Sequence, residues 1–476
     1  DAINGSQLYA VWQSANAAAN SSNVHFVSIN SVDSTKGNYG NDGAKGTEAT
    51  AIGVNALAQG AYSTALGFSS NASGLNSIAI GDSLAAGVKS TGIGYNANAK
   101  GNNGVAIGVN AQTSGDNALA IGTGRTDNNN QRTTAGSQSV ALGYTARADA
   151  TNAVAIGTYT AAGTDSIAMG NGADATQTNT IAIGKNAYAG VESINIGTST
   201  VKGNDSNLTG AFRRGSTLIG NEAAGQSLYT TVIGNHSQVL ANEKIMATGL
   251  FNRQFVAQNA FTNILGAYNT VGDTSTTKTY NGVAVTVVGA ANKVKESNGA
   301  LVAGYGNSVT NSYKDKIDVS GIVSSSIVDN TAAIADILNK SSTELGQTGV
   351  IGAVNKLDNS NNTLVMGMRN DVNLAAKSSV QGFSQIAQNI NYTAISGADS
   401  RIENTSHVFS AGVNNSITNA SDVIAMGNNM LVGSSTFTAK NSILLGNNID
   451  FASNSNMANA VSIGDYSRAN TGAVAV

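Results

Sequence analysis

The stretch Ser77–Ile78–Ala79–Ile80–Gly81 is one copy of a short pattern that recurs along the chain. Each copy is a run of small and apolar residues that ends in glycine. The first glycines in this series are Gly53, Gly67, Gly81, Gly94, Gly108, Gly122, Gly143, Gly157, Gly170, Gly184 and Gly197. Over long stretches the spacing is roughly 13–15 residues, and a fixed short period predicts a solenoid, in which each repeat becomes stable by stacking on its neighbours.

Each pattern has the alternation of a β-strand. Ile78 and Ile80 fall on one face of the strand, and Ser77 and Ala79 fall on the other, because successive side chains of a strand point to opposite sides. One face is bulky and apolar and the other is small, so the strand is expected to be buried on both sides. The alternation leaves open which face fills the coil and which lies against a partner.

A second, weaker strand is expected after each glycine. Asn96 follows Gly94 at a bend, and asparagine tolerates the left-handed backbone angles that such a bend requires. Ala97 and Ala99 would then point into the coil and Asn98 outward. The outward set of this strand is Leu57, Asn98, Gln112 and Tyr188. The sequence therefore predicts an all-β parallel β-roll, with two strands and two turns in each rung of about 14–15 residues.

The composition supports a continuous ladder and excludes several classes of protein. The 476 residues include no proline, which would interrupt interior strands because it lacks the backbone N–H. No cysteine is present, so a disulfide framework is excluded. Charged residues make up 11% and the net charge is -3, which disfavours nucleic acid as a partner. We expect the chain to be soluble as given, because it contains no apolar run of membrane-spanning length.

The first residues follow a helical pattern instead. An apolar stripe with helical spacing consists of Leu8, Val11, Trp12, Ala15 and Ala19. A short helix with such a stripe is marginal in water by itself. It suits either a small coiled coil or a cap helix on the end of the solenoid. We assign residues 1–22 to this segment.

Several stretches interrupt the array. Residues 123–137 and 199–215 are predicted to be extra loops. Residues 274–289 contain Asn281–Gly282 between alternating β-formers and are predicted to form a hairpin. Residues 310–360 are predicted to be an inserted α+β subdomain, since the pattern is absent there. The roll would thus occupy residues 23–309 and return over 361–476, where the stacked rungs have a length of about 15 residues.

A rung of this size encloses little core and leaves its bulky face without a cover in a monomer. A long exposed apolar stripe marks an interaction site, and symmetric self-assembly is the usual way to cover one. The apolar helix also needs partners. Both features predict a homo-oligomer.

The repeats resemble the head repeats of YadA-like trimeric autotransporter adhesins. The closest match to the family pattern is Asn76–Ser77–Ile78–Ala79–Ile80–Gly81; Asp1–Ala2–Ile3–Asn4–Gly5–Ser6–Gln7–Leu8 is similar to the family's neck motif, and His25–Phe26–Val27–Ser28–Ile29–Asn30 is similar to the start of a head. The resemblance implies a left-handed parallel β-roll homotrimer on the bacterial outer membrane. It also implies attachment to host cells, extracellular matrix or other bacteria, with membrane anchoring through a C-terminal region absent from this chain.

The sequence contains no convincing catalytic, cofactor or metal site. His25, His236 and His407 are far apart, and stacked rungs do not bring distant segments together. A repeat-fold enzyme would need clustered carboxylates or a histidine at a cofactor groove, and an ice-binding solenoid would need a regular threonine array. The chain has neither pattern, so we expect a binding protein without a cofactor.

The candidate ligand contacts are residues that point outward from the rungs or lie in the segments that interrupt the array. An aromatic ring beside two guanidinium groups can hold carboxylates or glycans, and the hairpin, one lysine pair and the lateral rung surface offer further contacts. These candidates are Phe212, Arg213, Arg214, Tyr280, Asn281, Lys293, Lys295, Asn98, Gln112 and Tyr188.

Overall fold

The structure, a computed structural model, describes residues 4–21, 28–124, 131–198, 215–225, 231–239, 246–250, 253–254, 262–272, 285–312, 346–451 and 456–476. These residues form an all-β parallel β-solenoid of about 22 turns with one short N-terminal helix. The chain divides into two compact units, residues 1–159 and 160–476. The expected all-β solenoid is confirmed. The predicted segments Phe212–Arg214 and Tyr280–Asn281 lie outside the described residues.

The N-terminal helix α1 spans Gly5–Ser21, as the apolar spacing predicted. A capping box starts it: Asn4 Oδ1 accepts the Gln7 N–H at 2.9 Å, and Gln7 Oε1 accepts the Asn4 N–H at 3.0 Å. This reciprocal pair satisfies two of the donors that a helix start leaves open. The apolar side chains Leu8, Val11 and Trp12 are all more than half exposed.

The first unit contains two stacks of parallel strands. Strands of the first stack, here called a strands, end at the repeat glycines: Thr50–Ile52, Thr64–Leu66, Ile78–Ile80, Thr91–Ile93, Val105–Ile107, Leu119–Ile121, Val140–Leu142 and Val154–Ile156. The second stack holds the b strands: Leu57–Ala58, Asn71–Ala72, Ser83–Ala85, Ala97–Ala99, Gln112–Thr113, Thr134–Ala135 and Arg147–Ala148. Each strand pairs in parallel with its equivalent one turn away, as Ile78 does with Thr64 and Thr91.

The small face of each a strand fills the coil. Ser77 and Ala79 are fully buried, whereas Ile78 is 40% exposed, which answers the question that the alternation left open. The predicted inward Ala97 and Ala99 of the b strand are also buried, and Asn98 is half-buried between them. A 14-residue turn is so narrow that alanine occupies nearly every inward apolar position in its core.

Left-handed corners close each turn. Asn96, Asn103, Asn110 and Asn117 have φ between 54° and 59°, so two such corners occur per 14-residue turn. The asparagine predicted at the bend is thereby confirmed. Asparagine adopts this region at low cost and uses its amide locally: Asn96 Nδ2 donates to Asn110 Oδ1 of the next turn at 2.7 Å.

The second unit also contains a stack of a strands and a stack of b strands, but its coil becomes wider along the chain. Its a strands are Ile167–Met169, Ile181–Ile183, Ile194–Ile196, Thr217–Ile219, Thr231–Ile233, Met246–Leu250, Asn263–Ala267, Thr286–Ala290, Leu301–Tyr305, Gly349–Ala353, Leu364–Met368, Ser379–Phe383, Ala394–Ala398, Val461–Ile463 and Val474–Ala475. Its b strands are Ala161–Ala162, Asp174–Ala175, Ala224–Gly225, Gln238–Val239, Arg253–Gln254, Thr270–Val271, Lys293–Lys295, Ser308–Thr310, Lys356–Asp358, Asp371–Ala376, Ile386–Asn391, Ser416–Thr418, Leu431–Val432 and Asp450–Phe451. The remaining strands are Arg401–Val413, Ala420–Met426, Ala439–Leu445 and Met457–Ala458. The first three continue around a left-handed corner from one side of the coil to the next.

A third left-handed corner explains the 15-residue turns. Arg369, Leu374 and Lys377 have φ of 57°, 54° and 51° within one turn. The extra corner creates a short third side, here called side c, which consists of the residues between the second and third corners. The coil is wider as a result, and Val, Leu and Ile replace alanine in its core, as at Val350, Leu357 and Ile390.

A ladder of buried asparagines runs through the wide turns. Asn307 Oδ1 accepts the backbone N–H and the Nδ2 of Asn355, both at 3.0 Å. Asn307 Nδ2 donates to the Gly352 carbonyl at 2.9 Å. The same arrangement is formed by Asn269, Asn292, Asn307, Asn355 and Asn370 in successive turns. Each amide thus satisfies buried backbone groups of the next turn, which would otherwise cost free energy.

The interruptions are narrower than predicted. Thr134–Ala135 is a regular b strand, so part of the predicted loop 123–137 belongs to the ladder. Residues 286–289 pair in parallel with the a strands before and after them, so the hairpin prediction for 274–289 was wrong at those residues. Residues 349–353 and 356–358 likewise continue the ladder. The C-terminal part of the predicted subdomain 310–360 therefore belongs to the solenoid. The other residues of these segments mostly lie outside the described part of the chain.

We expect Gly382→Ala to destabilise the fold strongly. Gly382 has φ of 125°, and a Cβ there would lie 1.7 Å from the Gly397 carbonyl oxygen. Backbone strain and overlap together predict a loss of at least about 3 kcal/mol, seen as a lower thermal midpoint by circular dichroism. Gly349→Ala is the control, because its Cβ would meet only the end of the Leu364 side chain. Equal losses for the two variants would contradict the role of the glycine corner.

The asparagine ladder gives a second prediction. Asn307→Ala removes the side-chain partners of the buried Gly352 carbonyl and Asn355 N–H, and Asn292 Oδ1 keeps only the backbone N–H of residue 307. We expect a loss of about 2–4 kcal/mol. Asn428→Ala removes a similar ladder contact at an exposed position, where water replaces the amide, and should cost about 0.5 kcal/mol. Thermal midpoints compare the two. If Asn307→Ala were as mild as Asn428→Ala, the buried ladder would not stabilise the stack.

Candidate functional site

The outward surface of the a strands, here called the a face, is apolar along the first unit. It consists of Thr50, Ile52, Thr64, Leu66, Ile78, Ile80, Thr91, Ile93, Val105, Ile107, Leu119, Ile121, Val140, Leu142, Val154 and Ile156. Leu66, Ile78 and Ile121 are 42%, 40% and 38% exposed. Covering the exposed part of one such side chain is worth about 1 kcal/mol. An apolar stripe of this length marks the a face as a candidate interaction surface.

The second unit has an a face of its own, which contains a polar step. Ile351, Phe409, Ile424 and Met426 are outward and exposed. Between them, two successive strands present mainly small or polar outward residues: Ser379, Gln381, Ala394 and Ser396. Their inward partners Val380 and Ile395 remain buried and apolar. The step thus belongs to the outer surface alone and does not weaken the core of the coil.

The predicted lateral residues lie where the sequence placed them. Asn98 and Gln112 are in register on neighbouring b strands and point outward. Arg132 Nη1 donates to Gln112 Oε1 at 3.4 Å. Tyr188 is a half-buried residue of the second unit whose carbonyl accepts the Asn195 amide at 2.8 Å. Nothing in this arrangement forms an enclosed site, so these residues are part of an extended surface.

Lys293 and Lys295 are outward residues of one b strand, with Val294 buried between them. Their neighbours in register are Thr270 and Ser308 for Lys293, and Thr310 for Lys295. Lys293 is the more exposed of the pair. The lysines therefore add positive charge to a surface that is otherwise formed by hydroxyl side chains at these positions.

An exposed column on the third corner was missed by the sequence reasoning. Lys377, Tyr392, His407 and Asp422 occupy equivalent positions in successive turns. The rings of Tyr392 and His407 stack with centroids 4.9 Å apart and planes 6° apart. Lys377 Nζ donates to the Tyr392 hydroxyl at 2.5 Å and lies 4.7 Å from the centroid of its ring. His407 Nδ1 lies 3.7 Å from Asp422 Oδ1. The 15-residue spacing was the signal that could have identified this column.

Two histidines of the described residues lie against carboxylates. His236 contacts Glu222, and His407 contacts Asp422. In the described part of the chain, no group of three His, Cys, Asp or Glu side chains could hold a metal ion. Across the same ranges, no helix is long and apolar enough to cross a membrane.

Local hydrogen bonds act on the carboxyl of Asp33. The Thr35 hydroxyl and backbone N–H donate to Asp33 Oδ1 at 2.6 and 2.9 Å. These hydrogen bonds, with a smaller contribution from Lys36, hold the pKa of Asp33 below its ordinary value. The carboxylate thereby fixes the loop that precedes the first turn.

Comparison with known families identifies the narrow turns. The model for the YadA head domain repeat (2 copies) matches residues 44–70, 58–83, 85–111, 99–124, 135–160 and 161–187. The matched ranges consist of two-strand turns with alanine cores. No curated protein matches the chain. The chain therefore carries YadA head domain repeats within residues 44–187.

Proposed function

We propose that this chain is the head, or passenger, region of a bacterial trimeric autotransporter adhesin. It would attach the bacterium to host cells, extracellular matrix or other bacteria by multivalent non-covalent binding, without catalysis. The YadA head repeats support the adhesin role and a location on the bacterial cell surface, at the outer membrane. Virulence and biofilm formation are the processes in which such attachment would act.

The observation that carries the proposal is the exposed a face. Its side chains are outward on every narrow turn of the first unit, and the fold offers no segment of the described chain that covers them. Three copies related by a threefold axis would place these faces against one another. We infer a homotrimer of left-handed β-rolls, in which α1 joins its two copies through the exposed Leu8, Val11 and Trp12.

Trimeric display would also serve binding. Each outward residue is presented three times, so weak contacts to a repetitive matrix or cell surface gain avidity. The candidate contacts Phe212, Arg213, Arg214, Tyr280, Asn281, Lys293 and Lys295, with the lateral Asn98, Gln112 and Tyr188, would act in this way. A rigid scaffold keeps the entropy cost of such binding low.

Display on a non-adherent bacterium tests the function. The chain, fused to an unrelated outer-membrane anchor, should increase attachment to wells coated with collagen, fibronectin or laminin, to epithelial monolayers, or to neighbouring bacteria. Cells displaying the Ile80→Asp variant at equal surface density are the control. No gain over cells that carry the anchor alone on any of these surfaces would refute the adhesin proposal.

Assembly gives a separate prediction. Ile80→Asp should convert the trimer to monomers at micromolar concentration, because three carboxylates would be buried against apolar side chains. Asn98→Asp, on an outward b strand, should leave the mass unchanged. Light scattering distinguishes the two. The assignment of the a face to the trimer axis fails if both variants keep the same mass as the parent.

The polar step of the a face predicts a stabilising change. In a trimer, Gln381 would be buried against its two copies, where an amide without good partners costs about 1–3 kcal/mol. Gln381→Leu should therefore raise the thermal midpoint. Gln388→Leu is the matched control, since Gln388 is an exposed residue of the same turn on the b strand. An increase confined to Gln388→Leu, or none for Gln381→Leu, would contradict burial of the step.

A further inference from the structure

Side c of the wide turns forms a trough. Its floor is made of the short outward side chains Asn391, Ser406 and Ser421, which are in register on successive turns. The corner column Asn389, Asn404 and Asn419 borders this floor on one side. Tyr392, His407 and Asp422 occupy the opposite corner and are not among the residues that line the groove. A groove of about 420 Å³ lies over the floor and the asparagine column, and it extends to Lys440.

Side chains at both corners of side c are held in place by contacts along the stack. Asn389 Nδ2 donates to Asn404 Oδ1 at 2.8 Å. On the opposite corner, the Tyr392 ring lies between Lys377 and His407. Since these side chains are fixed by their neighbours, a ligand would pay little entropy to order them.

The chemistry of the trough excludes two kinds of polymer. The strand backbones of side c pair with the turns on both sides, so a peptide cannot join as an additional strand. Lys440 is the one charged residue among those that line the groove. Nucleic acids and sulfated glycans depend on clustered cations, and the groove has no such cluster.

The remaining groups suit a chain of hydroxyls. Amide and hydroxyl side chains can both donate and accept hydrogen bonds, and they repeat here once per turn, at a strand spacing of about 4.8 Å. An extended glycan repeats its hydroxyl groups on a similar scale. We propose that side c of turns 389–440 binds a neutral linear polysaccharide along the stack, with Asn404, Ser406 and Ser421 among its hydrogen-bonding partners. This inference rests on the proposed adhesin function and names the ligand class for one of its surfaces.

Calorimetry on the full chain tests the inference with cellohexaose, maltohexaose and chitohexaose and their disaccharides. At least one hexasaccharide should bind, its disaccharide should bind about tenfold more weakly or worse, and added NaCl should change the affinity less than twofold. Ser406→Leu fills the floor and should weaken binding about tenfold. Ser416→Leu, an outward serine of the next turn on the b strand, should retain it, and circular dichroism should show both variants folded.

Three results would overturn the inference: no binding of any hexasaccharide, equal loss in the two variants, or preferential binding of heparin that salt abolishes. Failure here is distinguishable from failure of the adhesin proposal. Attachment of displaying bacteria without hexasaccharide binding refutes side c as a glycan site and leaves the adhesin role intact. Hexasaccharide binding without attachment of displaying bacteria contradicts the adhesin role alone.

Discussion

Direct stacking of one glycine on the next sets the spacing of most turns in the described part of the chain. Gly367, Gly382 and Gly397 have φ between 117° and 136°, and a Cβ on any of them would overlap the carbonyl of the following glycine. Because the turns approach so closely, equivalent residues of neighbouring strands lie in register. The narrow, two-cornered coil of the first unit adds a second constraint: only small inward side chains fit, so its core is alanine and the bulky residues lie on the outer surface.

That displacement connects the fold to assembly. A coil that buries Ala79 and exposes Ile78 has its largest apolar surface on the outside, where no segment of the described chain covers it. The wide turns differ, because their additional corner leaves room for larger inward side chains. Residues such as Val350 and Leu357 give each of these coils an apolar core of its own. These turns still carry exposed Phe409 and Ile424, and they gain a third side that presents polar groups to solvent.

Much of the fold could be predicted because stacking imposes a period that is visible in the residues. The glycine spacing indicated the solenoid, and the alternation of Ser77 to Ile80 indicated strands with two kinds of face. The direction of those faces required coordinates, since both were free of strongly polar residues. The hairpin prediction failed at residues 286–289 because alternating β-formers look the same in a hairpin and in a parallel ladder. Side c was missed since the stack imposes left-handed angles on Leu374 and Tyr392, residues that do not mark such corners in a sequence.

Sedimentation equilibrium on the unmodified chain, from nanomolar to micromolar concentrations, tests the central claim that the a face requires a cover of identical copies. The account predicts a single species of three times 47.8 kDa over the upper part of that range. A stable, folded species of 47.8 kDa at micromolar concentration would contradict it.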